Sequence, residues 1–254
     1  MKQFVRFRTK DEVAYGQVTP EGVYRIDGTP FQSYEPKELV GDVGELDLLP
    51  PVEPTKIICI GLNYRDHAEE TGAKIPDEPV MFLKPLTALI GPEDEIRLPP
   101  QSSRVDYEGE LAIVVGREIF GPDEVDARRA IFGYTCANDV TARDIQRKDG
   151  QWVRGKGFNT FCPVGPYLNA DVDLGDRRIE TRLNGEVRQT SDFGQMLFDA
   201  EFLVHFVAQV MTLYPGDIIM TGTPSGIGPM SPGDVVEVDI EGFGILRNRA
   251  VSAD

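Results

Sequence analysis

Three acidic residues at alternate positions precede the apolar segment 111–115: Asp106, Glu108 and Glu110. Because successive side chains in a strand point to opposite faces, the three carboxylates would lie on one side. Like charges so close to a buried strand repel one another and resist the loss of water. A bound divalent cation would relieve both effects, whereas a solvated strand end would need no ion. The pattern alone leaves both interpretations open.

A further acid, Asp139, follows a predicted strand at 132–137 and could complete a three-carboxylate site with Glu108 and Glu110. Oxygen ligands favour Mg²⁺, Mn²⁺ or Ca²⁺ over zinc, which prefers nitrogen and sulfur. Three protein ligands would leave coordination positions for water and for a chelating substrate. The long separation along the chain leaves open whether Asp139 meets the two glutamates.

A histidine and an acid lie together on a predicted short helix, residues 63–72. Asn63 is a suitable N-cap, and Gly72 can adopt the left-handed conformation that ends a helix. His67 and Glu70 are three residues apart and therefore share a helix face. Such a pair could accept a proton from water, with the carboxylate orienting the imidazole. The alternative is an ordinary surface pair.

Three more polar residues could serve a substrate. Arg143 and Gln146 follow Asp139 by four and seven residues. A helix in this segment would place them on one face, where they could receive a substrate carboxylate. Lys156 lies in a short glycine-rich segment. For both cations the competing interpretation is a surface position, with the arginine in a salt bridge.

Most elements that must position these groups are predicted strands. Residues 1–52 alternate apolar and polar side chains between turn residues, which indicates a small N-terminal β-rich unit. Prolines at its end mark a boundary, so residues 53–254 would form a second domain that carries the candidate residues above. Within that domain, Asn184 and Gly185 separate two alternating segments and predict a hairpin.

Two further helical segments are predicted, a short one over residues 122–131 and a longer one over residues 196–213. One apolar series recurs every four residues along the second segment and is interpreted as its core side: Phe198, Phe202, Phe206 and Val210. His205 lies away from this series, which favours a solvated or hydrogen-bonded histidine. The glycine-rich loop 221–228 lacks the Lys-Ser/Thr pair and the following helix of a phosphate-binding loop.

Composition restricts the partners and the compartment. The chain has 254 residues and a net charge of −16, which opposes binding to nucleic acid or to anionic membranes. No apolar segment approaches the length of a membrane span, and the N-terminus lacks a signal core. Three cysteines without metal-ligand spacing indicate buried free thiols in a reducing environment. We therefore expect a cytoplasmic protein.

Several of these segments resemble, in the same order, motifs of the fumarylacetoacetate hydrolase family, over about residues 56–251. The segments are 60–67, 82–85, 106–111, 138–144, 161–166, 184–186 and 216–224. The resemblance implies a mixed, β-rich α+β protein with a β-roll catalytic domain, usually a homodimer. It also implies that a divalent metal (Mg²⁺, Mn²⁺ or Ca²⁺) binds at the positions matching Glu108, Glu110 and Asp139.

Roles for the other residues are implied by the same resemblance. His67 and Glu70 match residues of a short helix that closes over the site as a lid. Lys156 matches an active-site lysine. The remaining matched positions contact the oxoacid end of a small 2-oxo acid substrate: Arg143, Gln146 and Thr223.

The reaction expected from this resemblance is hydrolysis of a carbon–carbon bond in a 2,4-dioxo acid of the acylpyruvate or fumarylacetoacetate type. His67, oriented by Glu70, would deprotonate water for attack on the 4-carbonyl. Lys156 would stabilise the resulting oxyanion. The metal would neutralise the charge of the departing pyruvate enolate.

Other reactions stay open within the same resemblance. The family includes decarboxylases of 2-oxo diacids such as oxaloacetate, isomerases of 2-hydroxy-dienoates such as those of the 5-carboxymethyl-2-hydroxymuconate pathway, and sugar-acid dehydratases. A non-catalytic, metal-stabilised scaffold is an alternative of another class, although it would not need a histidine–carboxylate pair. Gly157 and Asn159 replace the Ser and Asp of many relatives, and the loop 190–196 is atypical, so the substrate preference is left open.

Overall fold

A computed structural model of the protein describes residues 1–10, 12–72, 74–121 and 123–253, without the side chains of residues 124 and 125. The described residues form twenty strands and five α-helices, in agreement with the predicted strand-rich α+β class. The first ten strands are β1 (Lys2–Arg8), β2 (Val13–Thr19), β3 (Gly22–Ile26), β4 (Pro36–Gly41), β5 (Asp47–Leu49), β6 (Ile57–Gly61), β7 (Val80–Lys84), β8 (Leu89–Ile90), β9 (Glu95–Leu98) and β10 (Val105–Tyr107).

The remaining elements complete the fold. The strands are β11 (Gly109–Val115), β12 (Ile131–Asn138), β13 (Thr141–Ala142), β14 (Cys162–Ala170), β15 (Arg178–Leu183), β16 (Glu186–Asp192), β17 (Ile218–Met220), β18 (Gly228–Pro229), β19 (Val235–Ile240) and β20 (Gly244–Ser252). The helices are α1 (Arg65–Thr71), α2 (Glu124–Ala130), α3 (Arg143–Asp149), α4 (Val153–Lys156) and α5 (Ala200–Val210).

Three sheets organise the described strands. The largest has the order β4-β3-β2-β1-β14-β12-β11-β17-β6-β7, with β5 on β1 and β8 on β14. The others have the orders β13-β10-β18 and β16-β15-β19-β20-β9. The N-terminal strands join the large sheet because β1 pairs antiparallel with β14. The division of the chain into residues 1–52 and 53–254 stays a prediction.

Strand β11 is central, because it lies between β12 and β17 and every one of its residues is buried. One set of its side chains shares a core with the buried side of α5 and comprises Leu111, Ile113 and Val115. The other set packs with β6, β14 and β17 and comprises Ala112 and Val114. Burial on both faces explains the continuous apolar run, and each large side chain contributes about 1.5–3 kcal/mol.

The predicted core side of the long helix is wrong. Helix α5 is shorter than residues 196–213 and begins after Asp199, whose side chain caps the backbone N–H of Phe202. Its buried residues are Ala200, Leu203, Val204, Val207 and Ala208. Phe202 is 44% exposed and Val210 is 56% exposed. Two apolar series of helical spacing overlap here, and the aliphatic one packs on the sheet.

The aromatic series instead forms a row along the outer side of α5. The ring of Phe202 stacks on Phe198 at 5.4 Å and on Phe206 at 6.3 Å between centroids. His205 is half-buried, and its Nδ1 has no hydrogen-bond partner within the described part of the chain. The predicted solvated or hydrogen-bonded environment is therefore wrong for Nδ1, and for Nε2 it stays a prediction.

Other local predictions are confirmed. Asn184 and Gly185 have positive φ angles of 54° and 80° and connect β15 to β16 as a hairpin. The helix predicted at 122–131 corresponds to α2, with Pro122 outside the described residues. The three free thiols are buried: Cys59, Cys136 and Cys162. None of the helices in the described ranges has the length and apolar character needed to cross a bilayer.

Candidate metal centre

The three carboxylates predicted as metal ligands come together at the ends of neighbouring strands. One oxygen of each of Glu108, Glu110 and Asp139 lies within 4.8 Å of the others, and all three side chains are almost completely buried. The pairing of β11 with β12 sets Gly109 opposite Asn138. The backbone N–H of Asp139 then donates to the carbonyl of Glu108 at 2.8 Å. The register of these strands therefore places Asp139 beside the two glutamates, a contact that the spacing along the chain left open.

The glycine between the two glutamates is required by packing. A Cβ built on Gly109, on the opposite face of the strand from the two glutamates, would lie 2.0 Å from Oγ1 of Thr181. Its backbone N–H donates to Oε1 of Gln189 at 3.0 Å. A larger residue at this position would push β11 away from β15 and displace both glutamates.

Two of the three carboxylates are neutralised by buried cations. Nζ of Lys156 donates to Glu108 at 2.8 Å and to Asp139 at 2.5 Å. Arg143 also donates to Glu108, and Nζ of Lys84 donates to Asp139 at 2.5 Å. Burial opposes ionisation of Glu108, but Lys156 and Arg143 together lower its pKa.

Both lysines in this network are almost completely buried. Burial by itself would lower the pKa of Lys156, but Asp139 and Glu108 outweigh it and raise that pKa, so the amine stays charged. Lys84 has no role in the sequence-based prediction. It lies in the matched segment 82–85, at the end of an apolar strand segment, but its partner Asp139 is far away in sequence.

Glu110 differs from its neighbours, because no described residue forms an ion pair with it. One of its oxygens accepts the backbone N–H of Gly222 at 2.8 Å. Burial, and then the charge of Asp139, raise the pKa of Glu110 well above its usual value. A divalent cation held by Glu108, Glu110 and Asp139 would supply the missing positive charge. The buried, oxygen-only donor set fits a hard cation such as Mg²⁺ or Mn²⁺.

The predicted base pair forms on α1, a helix of about two turns that lies over the same cavity. Nδ1 of His67 lies 3.0 Å from Oε2 of Glu70. Gly72, with φ 63°, ends the helix as predicted. The predicted N-cap is wrong: the side chain of Asn63 instead bonds to the backbone of Phe198 and Thr221 and ties the start of α1 to two other segments.

The glycine-rich loop 221–228 holds α1 in place. The hydroxyl of Ser225 donates to Oδ2 of Asp66 at 2.8 Å. The backbone N–H of Gly226 donates to Oε1 of Glu70 at 3.0 Å. Glu70 therefore bridges the loop and His67. This loop takes part in the site through backbone N–H groups, even though it is not a phosphate-binding loop.

The residues predicted to contact substrate line the same cavity, of about 280 Å³: Arg143, Gln146 and Thr223. Arg143 donates to Oε1 of Gln146 at 2.6 Å and to Oδ2 of Asp106 at 2.9 Å. Asp106 is completely buried between Arg104 and Arg143, so it positions an arginine and is not solvated. The roles of the substrate contacts and of the catalytic residues stay predictions.

Two family models together match almost the whole chain. A family model described as fumarylacetoacetate hydrolase, C-terminal, matches residues 56–251, and one described as Rv2993c-like, N-terminal, matches residues 2–51. A mitochondrial oxaloacetate tautomerase of Rattus norvegicus is 42% identical over 215 residues, covering 80% of this chain and 69% of its own.

Two solved structures have similar folds. A 2-hydroxyhepta-2,4-diene-1,7-dioate isomerase from Mycobacterium marinum is 40% identical with a TM-score of 0.92, and 99% of each chain is covered. A fumarylacetoacetate hydrolase from psychrophilic Exiguobacterium antarcticum is 33% identical with a TM-score of 0.89, and 100% of each chain is covered. The relatives thus share one fold but have different reactions.

Proposed function

The chain belongs to the fumarylacetoacetate hydrolase family, and on that premise we propose that it is a divalent-metal-dependent enzyme interconverting the keto and enol forms of a small 2-oxo diacid, oxaloacetate in the first instance. The observation that carries the proposal is that the buried acid triad and His67, which is paired with Glu70, line the same cavity. The similarity to an oxaloacetate tautomerase, at 42% identity, favours tautomerisation over the other reactions of the family.

The chain's own residues suit proton transfer at the carbon next to a 2-oxo group. A divalent cation at Glu108, Glu110 and Asp139 would supply Lewis-acid polarisation of that group. Because Nδ1 of His67 is engaged by Glu70, Nε2 is the nitrogen left to take a proton from C3 of the keto form. The 2-oxygen gains a proton from solvent in the enol and His67 releases its proton to solvent, so the step is a net proton shift that consumes no water.

Other residues of the cavity would orient the substrate. Gln146 and Arg143 lie side by side and present donors to a carboxylate at the 2-oxo acid end. The charged amine of Lys156 lines the same cavity and would stabilise negative charge that develops on the 2-oxygen. Helix α1, held by the 221–228 loop, would limit the access of bulk water to His67.

The second candidate is the carbon–carbon bond hydrolysis expected from the sequence. The same histidine–carboxylate pair suits the activation of water, and a hydrolase of the family is 33% identical over the whole chain. The two departures from the family pattern near Lys156 (Gly157 and Asn159) do not discriminate between tautomerisation and hydrolysis. Asn159 is exposed, and a Cβ on Gly157 would lie 2.5 Å from the carbonyl of Val153, so a larger residue does not fit there.

The test is a comparison of products from the Mg²⁺-loaded protein. With oxaloacetate we expect faster loss of enol absorbance than with Glu110→Gln protein at the same Mg²⁺ concentration, and no added release of pyruvate. The Glu110→Gln control corrects for spontaneous and metal-catalysed tautomerisation. Pyruvate released from acetylpyruvate, without acceleration of the keto–enol step, would overturn the proposal in favour of hydrolysis. Pyruvate released from oxaloacetate would instead indicate decarboxylation.

Three further expectations remain proposals. We propose Mg²⁺ as the physiological ion, a homodimer as the active form, and a cytoplasmic location without nucleic-acid or membrane partners. The net charge of −16 supports the absence of anionic partners. Sedimentation of the metal-loaded protein would test the dimer.

A further inference from the structure

One cation on the wall of the cavity, Arg147, forms no ion pair with any residue that the structure describes. Arg147 lies on α3, four residues and about one helical turn after Arg143, so the two side chains share a helix face. Its side chain is exposed and lines the cavity. Within the described ranges it makes no hydrogen bond or salt bridge. An arginine of this kind is unexpected in a chain of net charge −16, because acids outnumber bases.

The other cations of the cavity are already engaged. Arg143 contacts Asp106, Glu108 and Gln146, and Lys156 contacts Glu108 and Asp139. These charges compensate the buried carboxylates and lie at the inner end of the cavity.

The acids near Arg147 on its own helix are also occupied. Asp149 accepts two hydrogen bonds from Arg154, at 2.5 and 2.6 Å. Asp144 accepts from the side chains of Ser102 and Ser103. The charge of Arg147 is therefore available to a ligand in the cavity.

We propose that Arg147 binds the carboxylate of the substrate that lies farthest from its 2-oxo acid end, and so selects dicarboxylates over monocarboxylates. The inference rests on the proposed function, which places the 2-oxo acid end at the acid triad. A guanidinium suits this role because it stays charged and can donate two parallel hydrogen bonds to one carboxylate. An uncharged end group would leave Arg147 in solvent and gain nothing from it.

Two unreactive ligands isolate this contact. Malate and 2-hydroxybutyrate have the same four-carbon 2-hydroxy acid skeleton, and only malate has a second carboxylate. Calorimetric titration of the Mg²⁺-loaded protein should give tighter binding of malate. In Arg147→Gln the affinity for malate should fall about tenfold or more, with that for 2-hydroxybutyrate unchanged. Arg147→Lys should restore part of the preference.

Lys148→Gln is the matched control, because Lys148 is an exposed cation on the same helix that does not line the cavity. It should leave both affinities unchanged. An equal loss for both ligands in Arg147→Gln, no loss for either, or a wild-type protein that does not prefer malate would overturn the inference. Since neither ligand reacts, the result is independent of turnover. If malate is preferred through Arg147 but oxaloacetate is not tautomerised, the proposed reaction alone fails.

Discussion

The two halves of the candidate-site cavity are held in place by different means. The half that carries the acid triad is built on paired strands, and Glu108 and Asp139 are fixed by strand register and by buried ion pairs. The half that carries His67 is a helix of about two turns, attached to a loop through Asp66 and Glu70. The positions of the carboxylates should therefore depend on the packing of the core. The position of His67 should depend on a few hydrogen bonds near the surface.

Within the acid triad, substitutions of Glu108 and Glu110 should differ most in their effect on the free energy of unfolding. Glu108→Gln leaves Lys156 and Arg143 short of a buried partner, so we expect a loss of about 3 kcal/mol in the free energy of unfolding of the metal-free protein. Glu110→Gln removes a buried carboxyl group that forms no ion pair with the described residues, so it should leave that stability unchanged or raised. Urea unfolding of both variants measures this, and equal losses would contradict the different environments assigned to the two acids.

On the helical half, Glu70→Gln should reduce kcat/KM by about 10²–10⁴-fold, because His67 loses the carboxylate that orients it. The affinity for Mg²⁺ should be unchanged. Glu69→Gln is the control, since Glu69 is exposed on the same helix and has no role in the site. Steady-state kinetics and metal titration measure the two effects. A parallel loss of metal affinity would mean that the two halves of the cavity are not independent.

A smaller effect should follow from Asp106→Asn. The sequence allowed a solvated acid here, but Asp106 is buried and holds Arg143. Loss of this charged contact should raise KM about tenfold with a smaller change in kcat, because Arg143 would orient substrate and not transfer a proton. The change should be milder than that of Glu108→Gln. A fall in kcat without a change in KM would argue against this positioning role.

The smallest effect should come from the contact that holds α1 to the loop. Ser225→Ala removes the hydroxyl that donates to Asp66 and should cost about 1 kcal/mol of local stability. We expect faster hydrogen exchange in α1 and only a few-fold decrease in kcat. Ser231→Ala, at an exposed serine of the next turn, should change neither. Unchanged exchange in α1 would mean that the loop does not hold the helix.

Much of the fold and of the candidate site could be predicted from local sequence patterns. The family and the strand-rich fold class are confirmed, and alternation along the chain correctly placed Glu108 and Glu110 together. Local signals were reliable where backbone geometry decides, as at Asn184 and Gly72. They failed for α5, because two apolar series overlap on one helix and only packing selects between them.

Long-range contacts account for the other gaps. The sequence could not establish that Asp139 reaches the glutamates, because that depends on the register of β11 with β12. Nor could it identify Lys84 as a partner of Asp139, or show that Asn63 serves a junction with Phe198. Each of these contacts joins segments that are far apart in sequence, so local sequence patterns do not reveal it.

The central claim is that Glu108, Glu110 and Asp139 hold one divalent cation on which activity depends. Calorimetric titration of the EDTA-stripped protein with Mg²⁺ and Mn²⁺ tests it most directly. We expect one site per chain, restoration of activity on metal addition, and an affinity at least about 100-fold weaker in Glu110→Gln. Equal metal binding by wild type and Glu110→Gln, or activity indifferent to EDTA, would contradict the claim.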